Sequence, residues 1–97
     1  MKMAMTINSD DWLQQFPAEH HTTIHGWFAS VLTTGARTPE EVLIKTTALI
    51  GRKQEWCTTM ESRQLCSNVQ VALRCDRHGA LQYATAVLAS RESDDGS

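Results

Sequence analysis

Apolar side chains recur with the period of an α-helix along most of this chain. The clearest stripe follows i, i+3, i+4, i+7, i+8 spacing and consists of Ile24, Trp27, Phe28, Val31 and Leu32. It predicts a helix over roughly residues 18–34, with one face against the rest of the protein. Gly35 is predicted to end this helix, since glycine adopts the backbone conformation that closes many helices.

A short helix is predicted upstream of this stripe. Ser9, Asp10 and Asp11 favour its N-terminal cap, and Pro17 ends it or starts the next helix. Its apolar side chains are Trp12, Leu13 and Phe16. These three large side chains are candidates either for the core or for contact with a partner.

The segment TPEEVLIKTTALIGRKQEW, residues 38–56, carries the strongest helix-start signal of the chain. Thr38 and Glu41 have the spacing of a capping box, in which each side chain bonds the backbone N–H of the other residue. Pro39 fits the first helical position, where its missing N–H is no loss. A third helix is therefore predicted over residues 39–50.

This third helix is apolar most of the way round. Between Val42 and Ile50, only Lys45 and two threonines interrupt the apolar residues. Such a helix has to be covered on both sides, either by the rest of the chain or by a partner. Gly51 is predicted to cap its C-terminal end.

Three more helices are predicted after this glycine. The first begins near Glu55, with Trp56 at its start. The second covers about residues 66–78 and is stopped by Gly79, and its apolar stripe is formed by Leu65, Val69, Ala72 and Leu73. The third helix spans Ala80 to Arg91 and is rich in good helix formers.

The predicted fold class is all-α. Short helices joined by tight turns favour consecutive antiparallel hairpins in a TPR-like stack. The alternative is an α+β fold with a β-hairpin over residues 69–88, where apolar residues also alternate with a period of two. Residues 1–91 are predicted to form a single helical domain, and the polar residues 92–97 a disordered tail.

Composition and charge narrow the range of functions. Hydrophobic residues make up 41% of the 97 residues, and no apolar run reaches the length of about 18 residues typical of a membrane span. The first residues lack the apolar centre of a signal peptide, so we expect a cytoplasmic protein with reduced cysteines. Seven basic and three acidic side chains in residues 42–91 are typical of a solvated helix surface rather than a nucleic-acid site.

No motif of an enzyme is present. His21 and His25 lie one helical turn apart, as do Cys75 and His78, but the spacing between the two pairs matches no zinc module. The sequence also lacks a Gly-rich phosphate loop and paired carboxylates in apolar surroundings. We therefore expect no catalytic residue, no metal and no cofactor, and we interpret the three cysteines as small buried core residues.

Three segments resemble one known family. The run EEVLIKTTALIGRKQEW resembles the central helix–turn–helix of the TPR-like chaperones of type III secretion needle subunits. WFASVLTTG is similar to the helix that precedes it in that family, and VALRCDRHGALQYATAVLAS to the closing helix pair. The resemblance covers roughly residues 20–91, and residues 1–16 have no counterpart in it.

The resemblance implies a cytoplasmic chaperone that binds a needle subunit and prevents its premature polymerisation. The amphipathic C-terminal helix of the needle subunit would lie in an apolar groove, and a small helical co-chaperone would complete a hetero-oligomer. The residues expected to line the groove are Leu43, Thr47, Ile50, Val69, Ala72 and Leu73. The expected co-chaperone contacts are Trp12, Leu13 and Phe16. For both sets, the alternative is a place in the core.

Two other functions are compatible with the sequence. The helix over 39–50, the turn after it and a helix from Glu55 have the order of a helix-turn-helix, which indicates a small DNA-binding regulator. Its recognition helix would begin with Glu55 and Trp56, which read bases poorly, and Arg52 and Lys53 would contact phosphates. The other function is that of a helical inhibitor protein of the phage or plasmid type.

Overall fold

The part of the chain that the structure describes contains five α-helices. In the computed structural model, the backbone is described for residues 11–96 and the side chains for residues 11–90. The helices are α1 (Asp11–Gln14), α2 (His21–Leu32), α3 (Pro39–Trp56), α4 (Met60–Cys75) and α5 (Arg77–Gly96), and a 3₁₀ turn at Ala18–His20 precedes α2. No strand occurs in these residues, so the all-α prediction is confirmed and the hairpin alternative over 69–88 is wrong.

Helix α3 lies at the centre and contacts α2, α4 and α5. Its inward face carries Val42, Leu43, Thr46 and Ile50, which are buried. The core that surrounds them includes Trp12, Ile24, Phe28, Val69, Leu73, Tyr83 and Val87. On the other side of α3, Ile44 is 64% exposed. The described residues therefore cover α3 on its inward side and leave Ile44 on the other side open, so the predicted cover on both sides is not found among them.

The predicted start of α3 is confirmed. Thr38 Oγ1 accepts a hydrogen bond from the Glu41 N–H at 3.2 Å, and Glu41 Oε1 accepts one from the Thr38 N–H at 3.1 Å. The same carboxylate oxygen accepts from the Arg37 N–H at 2.9 Å, and this bond is the main cause that holds the pKa of Glu41 below its usual value. The capping box thus provides hydrogen-bond acceptors for N–H groups at the start of α3 that have no carbonyl partner within the helix.

The predicted end of α3 at Gly51 is wrong. The helix continues to Trp56, and Cys57 then has extended backbone angles. The four residues after Gly51 are Arg, Lys, Gln and Glu, which are good helix formers, so they offset the roughly 1 kcal/mol that a glycine costs inside a helix. Trp56 is therefore the last residue of α3 and not the start of the next helix.

Helix α4 begins at Met60 rather than near Glu55. Thr59 has extended backbone angles, and its Oγ1 accepts a hydrogen bond from the Ser62 N–H at 3.1 Å. This is an N-terminal cap. Only residues 57–59 connect α3 to α4, so the two helices form an antiparallel hairpin.

Gly35 closes the turn that follows α2, as predicted. Its φ angle is 100°, a left-handed conformation that glycine adopts without strain. The Gly35 N–H donates to the Leu32 carbonyl at 3.2 Å, and the Ala36 N–H donates to the Val31 carbonyl at 3.4 Å. These two bonds make a Schellman motif, in which Ala36 is also buried against the core.

Gly79 does not end a helix, contrary to the prediction. Helix α4 ends at Cys75, and Asp76 alone separates it from α5. Asp76 Oδ1 accepts a hydrogen bond from the Gly79 N–H at 3.1 Å and so caps α5. A Cβ atom at position 79 would lie 2.9 Å from Asp76 Cγ, so the glycine leaves room for this cap.

Two further predictions concern the ends of the chain, namely the short first helix and the disordered tail. Helix α1 confirms the short helix before Pro17, whereas its predicted caps Ser9 and Asp10 lie outside the described residues. Helix α5 reaches Gly96, so it includes most of the segment 92–97 for which the sequence predicts a disordered tail; Ser97 is not described. Within the described chain, no helix combines the length and the hydropathy that crossing a membrane requires.

Candidate functional site

Five of the six residues predicted to line a partner groove lie in the core of the chain itself. Their side chains are at most 7% exposed, and they are Leu43, Ile50, Val69, Ala72 and Leu73. Contacts within the chain bury them, so a partner reaches them only after the helices separate. Their position is the one that the core alternative predicts.

The sixth residue, Thr47, borders a small surface pocket of about 390 Å³. Its Oγ1 donates a hydrogen bond to the Leu43 carbonyl at 2.7 Å. Leu43 and Leu73 also reach this pocket but are at most 4% exposed, so Ile44 is the main apolar side chain that a partner would meet there. Arg74 and Arg77 add positive charge to the same pocket.

The predicted co-chaperone contacts also lie in the core. Trp12 is 2% exposed, Leu13 and Phe16 are each 8% exposed, and the Trp12 Nε1–H donates to the Ala72 carbonyl at 3.3 Å. The Trp12 ring stacks on Tyr83 with centroids 5.7 Å apart. These aromatic contacts are of the kind that stabilise cores. The three residues therefore close one end of the helical core.

A larger open groove of about 840 Å³ lies between α2, the end of α3 and the start of α4. Its apolar lining includes Trp27, Trp56 and Leu65, and Trp56 is 81% exposed. An exposed indole at a concave surface is typical of a binding site, since tryptophan is enriched where proteins meet. We name this surface the Trp56 groove; its other lining residues are His20, Thr23, Arg52, Lys53, Cys57, Thr58, Glu61, Ser62 and Cys66.

The charges that line the Trp56 groove are mostly basic. Arg52 and Lys53 are exposed on the last turns of α3, and Glu61 lies in the first turn of α4. Among the described residues, neither Arg52 nor Lys53 lies within ion-pair distance of a carboxylate; the one contact of this kind is between His20 Nε2 and Glu19 Oε1, at 3.8 Å. Arg52 and Lys53 therefore remain available to the carboxylates of a partner.

Two thiols meet at the edge of the Trp56 groove. Cys57 Sγ lies 3.9 Å from Cys66 Sγ, and the Cys57 thiol also contacts the Lys53 carbonyl at 3.1 Å. Burial is the largest of the causes that raise the pKa of the Cys66 thiol to about 11. The interpretation of the cysteines as buried core residues thus holds for Cys66, whereas Cys57 is half-buried and Cys75 is exposed.

The two pairs singled out in the sequence, His21 with His25 and Cys75 with His78, form no common cluster of metal ligands in the described chain. His21 Nε2 lies 2.7 Å from the Phe16 carbonyl oxygen, and the His25 ring meets the Tyr83 ring at 6.3 Å. His78 lies at the start of α5, where its Nε2 is 3.3 Å from Gln82 Nε2. In the described chain, no group of three or more His, Cys, Asp or Glu side chains is arranged to hold a metal ion.

The predicted helix-turn-helix does not form over residues 39–56. Helix α3 is continuous through the GRKQ segment, so this segment makes no turn. Glu55 and Trp56 therefore end a helix and do not begin a recognition helix.

The Trp56 groove was not predicted from the sequence, although one signal indicates it. Thr59 is a good N-terminal cap, and Glu61 follows it in the first helical turn. This pair places the turn at residues 57–59. Trp56 then lies at the end of a helix, where neighbouring side chains cover it poorly.

Comparisons with protein-family models, with curated proteins and with solved structures find no match for this chain. The resemblance to the chaperones of needle subunits therefore stays a prediction. A function is best proposed from the groove, its exposed indole and its charges.

Proposed function

We propose that this protein is a chaperone or adaptor that binds an amphipathic helix of another protein in the Trp56 groove. The observation that carries this proposal is the 81% exposure of Trp56 at the open side of a groove of about 840 Å³. Contact with an apolar partner would remove the indole from water. Tryptophan residues in such positions often contribute most of the affinity of an interface.

The lining of the groove specifies the chemistry of the partner. Trp27, Trp56 and Leu65 favour large apolar side chains, which an amphipathic helix presents every three or four residues. Arg52 and Lys53 favour carboxylates beside those apolar side chains. The partner segment is therefore an amphipathic helix whose apolar stripe is flanked by acidic residues.

Among partners of this chemistry, we propose a needle subunit of a type III secretion system, held in the cytoplasm before it polymerises. The resemblance of residues 20–91 to the chaperones of needle subunits supports this choice. We place the contact in the Trp56 groove and not at the residues expected from the sequence, because five of those are buried in the core: Leu43, Ile50, Val69, Ala72 and Leu73. A small co-chaperone remains part of the proposed hetero-oligomer, with contacts other than Trp12, Leu13 and Phe16.

A pair of matched substitutions on α3 tests the groove. Trp56→Ser and Ile44→Ser each remove one exposed apolar side chain, but only Trp56 lines the groove. In titrations with a synthetic peptide of the C-terminal helix of the needle subunit, Trp56→Ser is expected to lower the affinity at least about tenfold. Ile44→Ser is expected to bind like the wild type, and both variants to keep the wild-type circular dichroism spectrum.

Two results would count against this function. If Ile44→Ser loses the peptide and Trp56→Ser keeps it, the partner binds at the pocket beside Thr47. If the wild type ignores the peptide and also fails to co-purify with the whole needle subunit when the two are expressed together, a needle subunit is not the partner.

A further inference from the structure

Cys57 and Cys66 form a pair that the fold brings together. Cys57 follows the last residue of α3, and Cys66 lies on the second turn of α4. The short connection over residues 57–59 folds α4 back along α3, so the two Sγ atoms lie 3.9 Å apart. A disulfide needs about 2.0 Å between sulfurs, so each of the two sulfurs has to move about 1 Å toward the other.

We propose that Cys57 and Cys66 are a redox-active pair, which a peroxide converts to an intramolecular disulfide that joins the end of α3 to α4. The geometry that supports this is the thiol–thiol contact together with an access route. Both residues line the open Trp56 groove, and Cys57 is only half-buried. A small oxidant therefore reaches Cys57 without unfolding the helices.

The order of the two steps follows from burial. The Cys57 thiolate attacks one peroxide oxygen, the O–O bond breaks, and the leaving hydroxide takes a proton to become water, which leaves a sulfenic acid on Cys57. The Cys66 sulfur then attacks Cys57 Sγ as it gives up its proton, the S–O bond breaks, and the second water leaves. Two thiols and one peroxide thus give one disulfide and two waters.

Cys66 is the resolving residue for two reasons. It is 2% exposed, so it reaches Cys57 but not the solvent. Burial also raises the pKa of its thiol to about 11, which makes it a poor first nucleophile. Cys75 serves as an internal control, since it is exposed near the other end of α4 and shares no contact with this pair.

The test uses the whole reduced protein and hydrogen peroxide. Intact mass is expected to fall by about 2 Da, dithiothreitol to restore it, and peptide mapping to join Cys57 to Cys66. The Cys75→Ala variant is expected to behave like the wild type. Cys66→Ala is expected to stop at the sulfenic acid, which dimedone traps on residue 57, and Cys57→Ala to form no disulfide.

The thermal midpoint is a second measurement on the wild type, which needs no variant. Because the cross-link closes a short loop in the unfolded chain, the oxidised protein is expected to melt roughly 10–20 °C higher than the reduced one. A mapped bond to Cys75, oxygen addition without loss of 2 Da, or an oxidised form that melts below the reduced form would each overturn the proposal. None of these readouts depends on partner binding, so they stand apart from the proposed function.

Discussion

Thr46 and Thr47 are neighbours on α3 with opposite surroundings. Thr46 is fully buried, and its Oγ1 has no hydrogen-bond partner among the described residues. Thr47 is half-buried, and its Oγ1 donates to the Leu43 carbonyl at 2.7 Å. A buried hydroxyl without a partner destabilises a fold by about 1–3 kcal/mol, whereas a satisfied one does not. The two threonines are therefore expected to respond differently to the same change.

Replacing Thr46 with Val removes the buried hydroxyl and keeps the side-chain shape. We expect Thr46→Val to raise the free energy of unfolding by about 1 kcal/mol. Thr47→Val is the matched control and removes a hydrogen bond at a partly exposed site. This variant is expected to lower the free energy of unfolding by less than about 1 kcal/mol. Urea titrations of both variants measure these changes. A loss of stability in Thr46→Val as large as that in Thr47→Val would contradict the assigned environment.

The sequence could not distinguish these two residues. From the pattern alone, both threonines are interruptions of an apolar helix surface. Which of them faces the core depends on how α2, α4 and α5 pack around α3, and that is decided by contacts between residues far apart in the sequence. The same holds for Ile44 and Ile50, one exposed and one buried on the same helix.

At the scale of the helices, side-chain caps mark where α3, α4 and α5 begin, whereas α2 begins without one. Thr38 with Glu41 starts α3, Thr59 starts α4, and Asp76 starts α5. The capping box of α3 was predictable because it is a local motif of four residues. The predicted start of α4 is wrong because it depends on a stop at Gly51, where α3 in fact continues. A glycine followed by four strong helix formers does not end a helix, whereas a threonine before an acidic first turn begins one.

The Thr59 cap is expected to stabilise α4 measurably. Thr59→Ala removes the oxygen that accepts from the Ser62 N–H, so we expect the free energy of unfolding to fall by about 1 kcal/mol. Thr58→Ala is the control, because Thr58 is an exposed residue of the same connection and does not hold this bond. Thermal or urea unfolding followed at 222 nm by circular dichroism compares the two variants. Equal effects would contradict the placement of the α4 start.

At the scale of the whole molecule, the fold class was predictable and the Trp56 groove was not. Helical periodicity recurs in α2, α3 and α4, and no long segment favours strands more strongly. The position of the groove instead depends on the extension of α3 by six residues past Ile50, which carries Trp56 out beyond the core. Most apolar residues of the periodic stripes became the core, as in most soluble proteins, whereas Trp56 at the end of α3 is 81% exposed.

The described part of the molecule therefore joins a packed core to an open groove of mixed apolar and basic lining at one end of α3. Leu43, Ile50 and Leu73 hold the helices together, and Trp56 with Arg52 faces outward. This division predicts that a partner helix binds without opening the core. It also predicts that the binding residues and the stabilising residues are separable by mutation.

The most direct test of this division is a map of backbone amide chemical shifts in the ¹⁵N-labelled protein during titration with a peptide of the C-terminal helix of the needle subunit. We predict shifts confined to residues 20–27, 52–58 and 61–66, while the amides around Leu43 and Leu73 stay in place. Shifts centred on residues 43–50 and 69–73, or a spectrum that changes throughout because the core opens, would contradict the separation of the groove from the core.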